Sequence, residues 1–278
     1  MTRMLIVDGM SVLKTTAGGM AYLTNGFAYN FFTQLTATIK KFPDIKGIIV
    51  CWEGGYAHRL KIYPEYKNTR KGTTTEIKQQ RRYVQDMLEL VGVDQAWAID
   101  HEADDLGAWL VRNLNTEMIL YTNDRDWLQL VRPGISVYQK SPFSEGKKNL
   151  RVEITAEKFE HYTGFPSPAE YLKAKCIMGD GDEIPGLEGI GEATVKGWLV
   201  NGPIAASRKK KIEEFIGTEE YARNMLLADL ISPRDMDIQW RYGQPDSEKA
   251  LELVQELKWN SIAAKFPEWW ANYENARL

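Results

Sequence analysis

Three short apolar runs, each ending in an acid, do most to restrict how this chain can fold. MLIVDG places Asp8 at its end, IIVCWEGG is followed by Glu53, and ILYTNDRDW carries Asp124 and Asp126. Uninterrupted apolar runs of this length read as strands covered on both faces. Residues 3–8, 47–52, 95–99 and 118–122 are therefore predicted strands, and helical periodicity at about 26–41, 75–91 and 102–114 separates them. That alternation predicts an α/β fold around a parallel sheet with helices on both faces. In such a sheet, ligands bind beyond the carboxyl ends of the strands. Acids far apart in sequence can converge there.

The first ~165 residues read as this α/β unit. Beyond residue 167 strand signals fade, and Gly- and Pro-punctuated helical segments follow at 169–178, 194–200 and 218–231. We expect residues 166–278 to form a helical region. The 278 residues are 44% hydrophobic and 26% charged, as in globular proteins. No apolar run approaches the ~20 residues of a membrane-spanning helix, and the expected location is cytoplasmic, with no membrane partner. Cys51 and Cys176, the two cysteines, lie in apolar segments without metal-ligand spacing and are expected to be buried thiols.

More acids join the strand-end set. Glu102, Asp104 and Asp105 in HEADDLGAWL open a predicted helix, where the helix dipole alone would account for them. Asp180 and Asp182 in MGDGDEIPG sit in a Gly-rich turn, where solvation alone would suffice. Brought together empty, these nine carboxylates would repel one another, raising their pKa values or demanding a cation. Oxygen-only ligands favour Mg²⁺ or Mn²⁺ over zinc. Two such ions suit phosphodiester hydrolysis.

The net charge of -3 argues weakly against a protein that simply coats nucleic acid, and charge is segregated along the chain. Arg59, Lys61, Lys67, Arg70, Lys71, Lys78, Arg81 and Arg82 face only Glu65 and Glu76, interleaved with Tyr63 and Tyr66. Cations among aromatics fit a surface that holds phosphates and stacks unpaired bases; a solvated basic helix fits the same pattern. Lys67 and Arg70 would share a helical face. GLEGIGEAT, with Gly189, Gly191 and Thr194, can present backbone amides to a phosphate at a helix start; a plain helix connection would look similar. Lys196 and the run 208–211 add cations.

Taken in order, VDG, YPEYKNTR, EADD, TNDRDWLQL and MGDGDEIPGLEGIGEAT resemble the flap endonuclease / 5′ to 3′ exonuclease superfamily over roughly residues 3–232. The resemblance is greatest to its compact phage (T5 exonuclease-like) and bacterial DNA polymerase I 5′-nuclease domain members. It implies a PIN-like sheet core with a helical arch at about 55–85, and a helix-three-turn-helix at about 180–200 that grips duplex DNA and can bind K⁺. It also implies metal ligation by Asp8, Glu102, Asp104, Asp105, Asp124, Asp126, Asp180 and Asp182, arch roles for Lys67 and Arg70, and stacking on the 5′ nucleotide by Tyr66. Two departures stand out. Glu53 replaces the usual Asp, and GDGDE is one residue shorter between its acids than GDxxDN, with Glu183 in place of Asn.

The function this implies is a monomeric, two-metal 5′-nuclease acting on branched or flapped DNA and on RNA–DNA hybrids. Its DNA contacts would be Tyr66, Arg59, Lys61, Lys71, Arg81, Arg82, Gly189, Gly191, Thr194 and Lys196. Two other readings stay open, a PIN-type ribonuclease and a catalytically impaired branched-DNA-binding protein.

Overall fold

The computed structural model describes residues 2–15, 25–141, 150–180 and 184–277; Asp182 and Glu183 lie outside them. Seven strands occur among the described residues: β1 (Arg3–Asp8), β2 (Ile45–Trp52), β3 (Asp94–Ala98), β4 (Glu117–Tyr121), β5 (Ile135–Lys140), β6 (Arg151–Ile154) and β7 (Ile238–Arg241). The chain forms two compact units, one made of Met1–Gly55, Gly72–Asp124 and Asp235–Leu278, the other of Tyr56–Lys71 and Arg125–Arg234. Compactness thus groups the chain differently from the sequential division at residue 165.

In the first unit the strand order is β4-β1-β2-β3-β7. The first four are parallel and β7 runs antiparallel on β3. All four strands expected from sequence are present, shifted at most two residues at either end. Leu5, Ile6, Val7, Val50, Ile119 and Leu120 are fully buried, as a sheet covered on both faces requires. The register sets Asp8 opposite Cys51 and Val7 opposite Tyr121. Asp8, Glu53 and residues 122–124 therefore all leave the same carboxyl edge. Strand order reverses between β1 and β4, so Asp8 sits at the switch point where such sheets bind ligands.

The helix Gly26–Lys41 lies against this sheet and buries Phe27, Phe31, Phe32, Leu35 and Ile39, the spacing of one helical face. Trp259, Trp269 and Tyr273 close on Phe32 with ring centroids 5.5, 5.9 and 6.3 Å away. Buried aromatic pairs each contribute about 1 kcal/mol beyond area burial. The helices expected beyond residue 166 are present, and within that stretch Asp235–Leu278 clusters with the sheet unit, contributing β7 and the helices Ser247–Glu256 and Phe266–Ala276.

The second unit is mainly helical. Its helix Pro168–Met178 starts where Ser167 Oγ accepts from the Glu170 amide and Pro168 takes the first turn, a favourable N-terminal arrangement. Leu172 and Cys176 from this helix pack with Tyr66, Ile184, Leu227 and Ala228. The antiparallel hairpin β5–β6 pairs Val137 with Ile154, a feature absent from the sequence reading. Both cysteines are free and buried. Among the described residues, no helix is long and apolar enough to cross a membrane.

Candidate metal centre and nucleic-acid contacts

The acids at the carboxyl edge of the first unit are held by short, named contacts. Asp8 is 5% exposed, and its two oxygens are fixed separately. Oδ1 accepts from the Ser11 amide at 3.0 Å, and Oδ2 accepts from the Thr122 hydroxyl at 2.8 Å. Thr122 Oγ1 in turn accepts from the Asp124 amide at 2.9 Å, so one hydroxyl orients two acid-bearing strand ends. Burial pushes the Asp8 carboxyl up to about 7; the two hydrogen bonds oppose this, and the charges of Glu53 and Asp104 add to it. A carboxylate so disfavoured needs a proton or a cation.

Glu53 is exposed just beyond β2, and its placement depends on Gly54. A Cβ on Gly54 would stand 2.0 Å from the Ala98 carbonyl oxygen. That close approach lets the Gly54 amide donate to His101 O at 3.0 Å and Gly54 O accept from the Asp100 amide at 3.2 Å. The two backbone bonds stitch the segment after β2 to the segment leading into Glu102. Glu102 and Asp105 are buried and Asp104 half-buried at the start of helix Ala103–Asn113. The Asp105 side chain accepts from the Glu102 amide at 3.1 Å, so part of its role is to cap the helix. Asp124 is exposed.

In the second unit, Asp126 lies on the 3₁₀ turn Arg125–Leu130, and Asp180 follows helix Pro168–Met178. The Lys175 ammonium hydrogen-bonds both carboxylates, reaching Asp180 Oδ2 at 2.9 Å. Burial is the largest influence on Lys175 and acts to lower its pKa. The charges and hydrogen bonds of Asp126 and Asp180 together outweigh it and hold the group above the ordinary lysine range. Among the described residues, no three His, Cys, Asp or Glu side chains form a ready-made metal cage.

Two of the residues assigned to DNA are buried in this structure. Tyr66 is 4% exposed, inside the apolar cluster with Leu172 and Leu227, so its ring is not an open stacking platform. Arg59 is 2% exposed. Its Nε donates to Leu227 O at 3.0 Å and its guanidinium lies 5.8 Å from the Tyr66 ring. Their burial has one cause: Tyr56, Ile62 and Tyr63 line up with Tyr66 against residues more than 100 positions later. Lys67 is half-buried, with its ammonium 5.1 Å from Tyr66 and 5.9 Å from Tyr56. It adopts φ 57° in a run of turns rather than a helix. Arg70, Lys61, Lys71 and Arg82 are exposed, whereas Arg81 lies half-buried 4.9 Å over Trp52.

Gly189 and Gly191 are exposed with open space where a Cβ would stand, and Thr194 is half-buried in helix Glu192–Leu199. Lys196 donates to Thr163 O at 2.8 Å, pairs with Glu192 and lies over Phe165, so its cation has a structural duty. Sequence reasoning missed Thr122 and Lys175. Thr122 could have been flagged as the residue joining β4 to NDRD, whereas for Lys175 only the nearby Asp180 was a local signal and its second acid lies 49 residues away.

These placements separate two kinds of cation. Arg59→Ala is expected to destabilise the protein by roughly 2–4 kcal/mol, since it removes a buried hydrogen-bonded charge. Lys61→Ala should leave Tm unchanged and, if this surface meets phosphates, lower the salt slope of DNA binding by about 1. Thermal melts and binding titrations across salt concentrations check both.

Comparison with known proteins fits this geometry. Residues 3–164 match the family model of the 5′-3′ exonuclease, N-terminal resolvase-like domain. A 5′-3′ exonuclease of Bacillus subtilis is 29% identical over 206 residues, covering 69% of this chain and 68% of that protein. DNA polymerase I of Mycobacterium tuberculosis is 30% identical over 226 residues, covering 80% of this chain and 24% of the polymerase. The chain thus spans about a quarter of the polymerases it matches. The structure of T5 5′-exonuclease with bound zinc ions superimposes with a TM-score of 0.66 at 21% identity, over 96% of this chain and 99% of that one. At that identity the likeness shows a shared fold. With the match covering more than half of its length, the chain belongs to the 5′-3′ exonuclease family and carries its N-terminal resolvase-like domain.

Proposed function

We propose that the protein is a structure-specific 5′-nuclease that hydrolyses DNA phosphodiesters at 5′ ends and flaps with divalent metal ions. The observation that carries this reading is Asp8, buried at the switch-point end of β1 with its charge opposed by burial and by Glu53 and Asp104. The donor set fits a hard divalent cation: carboxylate oxygens, no thiolate or imidazole, and a buried carboxylate whose ionised form a cation would stabilise. Two Mg²⁺ ions, with Mn²⁺ as substitute, are assigned to Asp8, Glu53, Glu102, Asp104, Asp105 and Asp124 in the first unit and to Asp126, Asp180 and Asp182 in the second. When bound, such ions lower the pKa of water and stabilise charge on the attacking and leaving oxygens.

The chain's own residues supply positioning. Thr122 and Ser11 each occupy one lone pair of Asp8 and leave the others for a cation. Lys67, held over two tyrosine rings, and exposed Arg70 are assigned to the phosphate of the 5′ strand, and Lys61, Lys71, Arg81 and Arg82 to its approach. The Gly189–Gly191 turn is assigned to duplex phosphates and to K⁺. The protein is proposed to work as a monomer in the cytoplasm on branched or flapped DNA and on RNA–DNA hybrids. A panel of 5′-labelled flap duplex, RNA–DNA hybrid and single-stranded RNA tests this. We expect flap and hybrid to be cut, leaving 5′-phosphates. Cleavage of the RNA strand alone would replace this reading with a PIN-type ribonuclease.

A further inference from the structure

Asp126 and Asp180 are two of the acids assigned to divalent metal, yet the cation that meets them in this structure is the chain's own Lys175. Its side chain is 7% exposed, against 19% for Asp126 and 47% for Asp180. The ammonium is therefore the most buried of the three groups, with Asp126 partly and Asp180 largely open to solvent. It arrives there from the interior of helix Pro168–Met178, where Tyr171, Leu172, Ala174, Cys176 and Ile177 are buried around it. A buried ammonium is costly unless it is paired and hydrogen-bonded, and two carboxylates satisfy that need. Conversely, two carboxylates held close need a cation. With Lys175 present, the three groups carry a net charge of -1; without it they would carry -2, and the affinity of a carboxylate site for a divalent ion rises with its negative charge.

We propose that Lys175 is a resident counter-cation that competes with divalent metal for Asp126 and Asp180. It holds the two carboxylates together in the metal-free protein and weakens metal binding at them. This rests on the assignment of those two acids to metal. Asp180 follows five residues after Lys175 at the end of the same helix, but Asp126 comes from a separate turn 49 residues earlier, so bringing both carboxylates to one ammonium requires tertiary placement.

The test is Mn²⁺ titration of the intact, metal-stripped protein without DNA, followed by electron paramagnetic resonance, together with its metal-free Tm. Lys175→Met keeps the length and removes the charge; Lys175→Arg keeps the charge. Lys175→Met should bind Mn²⁺ about tenfold or more tightly, the scale expected when a unit charge within ~4 Å of a divalent ion is removed. Its metal-free Tm should fall and recover with Mn²⁺, Lys175→Arg should stay near wild type, and the gain should vanish in an Asp180→Asn background. If Lys175→Met does not fold, Lys175→Gln carries the same expectation. Measurable and equal Mn²⁺ affinity in wild type and the neutral variant would overturn the proposal and leave the metal assignment standing. No Mn²⁺ binding by either protein would overturn both.

Discussion

Asp8→Asn is expected to reduce cleavage by about 100-fold or more, the scale on which one transition-state-stabilising group acts, while raising the thermal stability of the metal-free protein. The two effects share one cause. The buried Asp8 carboxyl is pushed up to about 7, so its ionised form is disfavoured in the folded state. A group whose folded pKa lies above its unfolded value stabilises fully below the unfolded pKa. That contribution is lost as pH rises from about 4 through about 7 and stays lost above. At pH 8 the penalty amounts to roughly 4 kcal/mol, at about 1.4 kcal/mol per unit. Asparagine keeps the geometry, since its oxygen can accept from Ser11 N and its amide can donate to Thr122 Oγ1, and it never ionises. Wild type minus variant Tm, measured in chelator from pH 4 to 8, should become more negative across that window. Added Mg²⁺ should close the gap by stabilising only the wild type. A pH-independent difference would show that Asp8 carries no such strain.

Gly186→Ala should cost about 3 kcal/mol or more, near the upper end for overpacking. A Cβ at this position would stand 1.8 Å from the Met178 carbonyl oxygen and 2.6 Å from the Gly179 amide nitrogen. Both are backbone atoms that no rotamer change can move. The approach exists because residues 184–187 are bonded to the end of helix Pro168–Met178, with Leu187 N donating to Ile177 O and Asp180 N to Ile184 O, each at 2.8 Å. Asn224 adds a clamp, donating to Cys176 O at 3.0 Å and Pro185 O at 2.7 Å. Forcing these contacts apart should displace Asp180 as well as lower Tm. Gly191→Ala is the control, since its φ is -107° and nothing lies within 4 Å; its unfolding free energy should stay within about 1 kcal/mol of wild type.

The strands and helices of the sheet core were legible because their apolar runs and 3.6-residue patterns are local. Asp8, Glu53 and Asp124 could be placed at one edge because a parallel sheet brings its carboxyl ends together whatever the spacing between them. What escaped depends on partners distant in sequence. β7 is a short, half-buried edge strand whose pairing exists only because β3 offers an open edge. Arg59 and Tyr66 read as surface in a basic segment, and only Leu227 and its neighbours, supplied much later, bury them. Lys175 read as one more helical lysine, since the acids it meets converge only in the folded chain.

Cleavage of a 5′-labelled flap duplex by wild type and Asp126→Ala, each with Mg²⁺, with Mn²⁺ and with EDTA, tests the central claim most directly. The account predicts metal-dependent release near the flap junction by the wild type, abolished by EDTA and lost in the variant. Tight flap binding by the wild type with no cleavage under either metal would contradict it and mark the protein as a branched-DNA-binding protein without turnover.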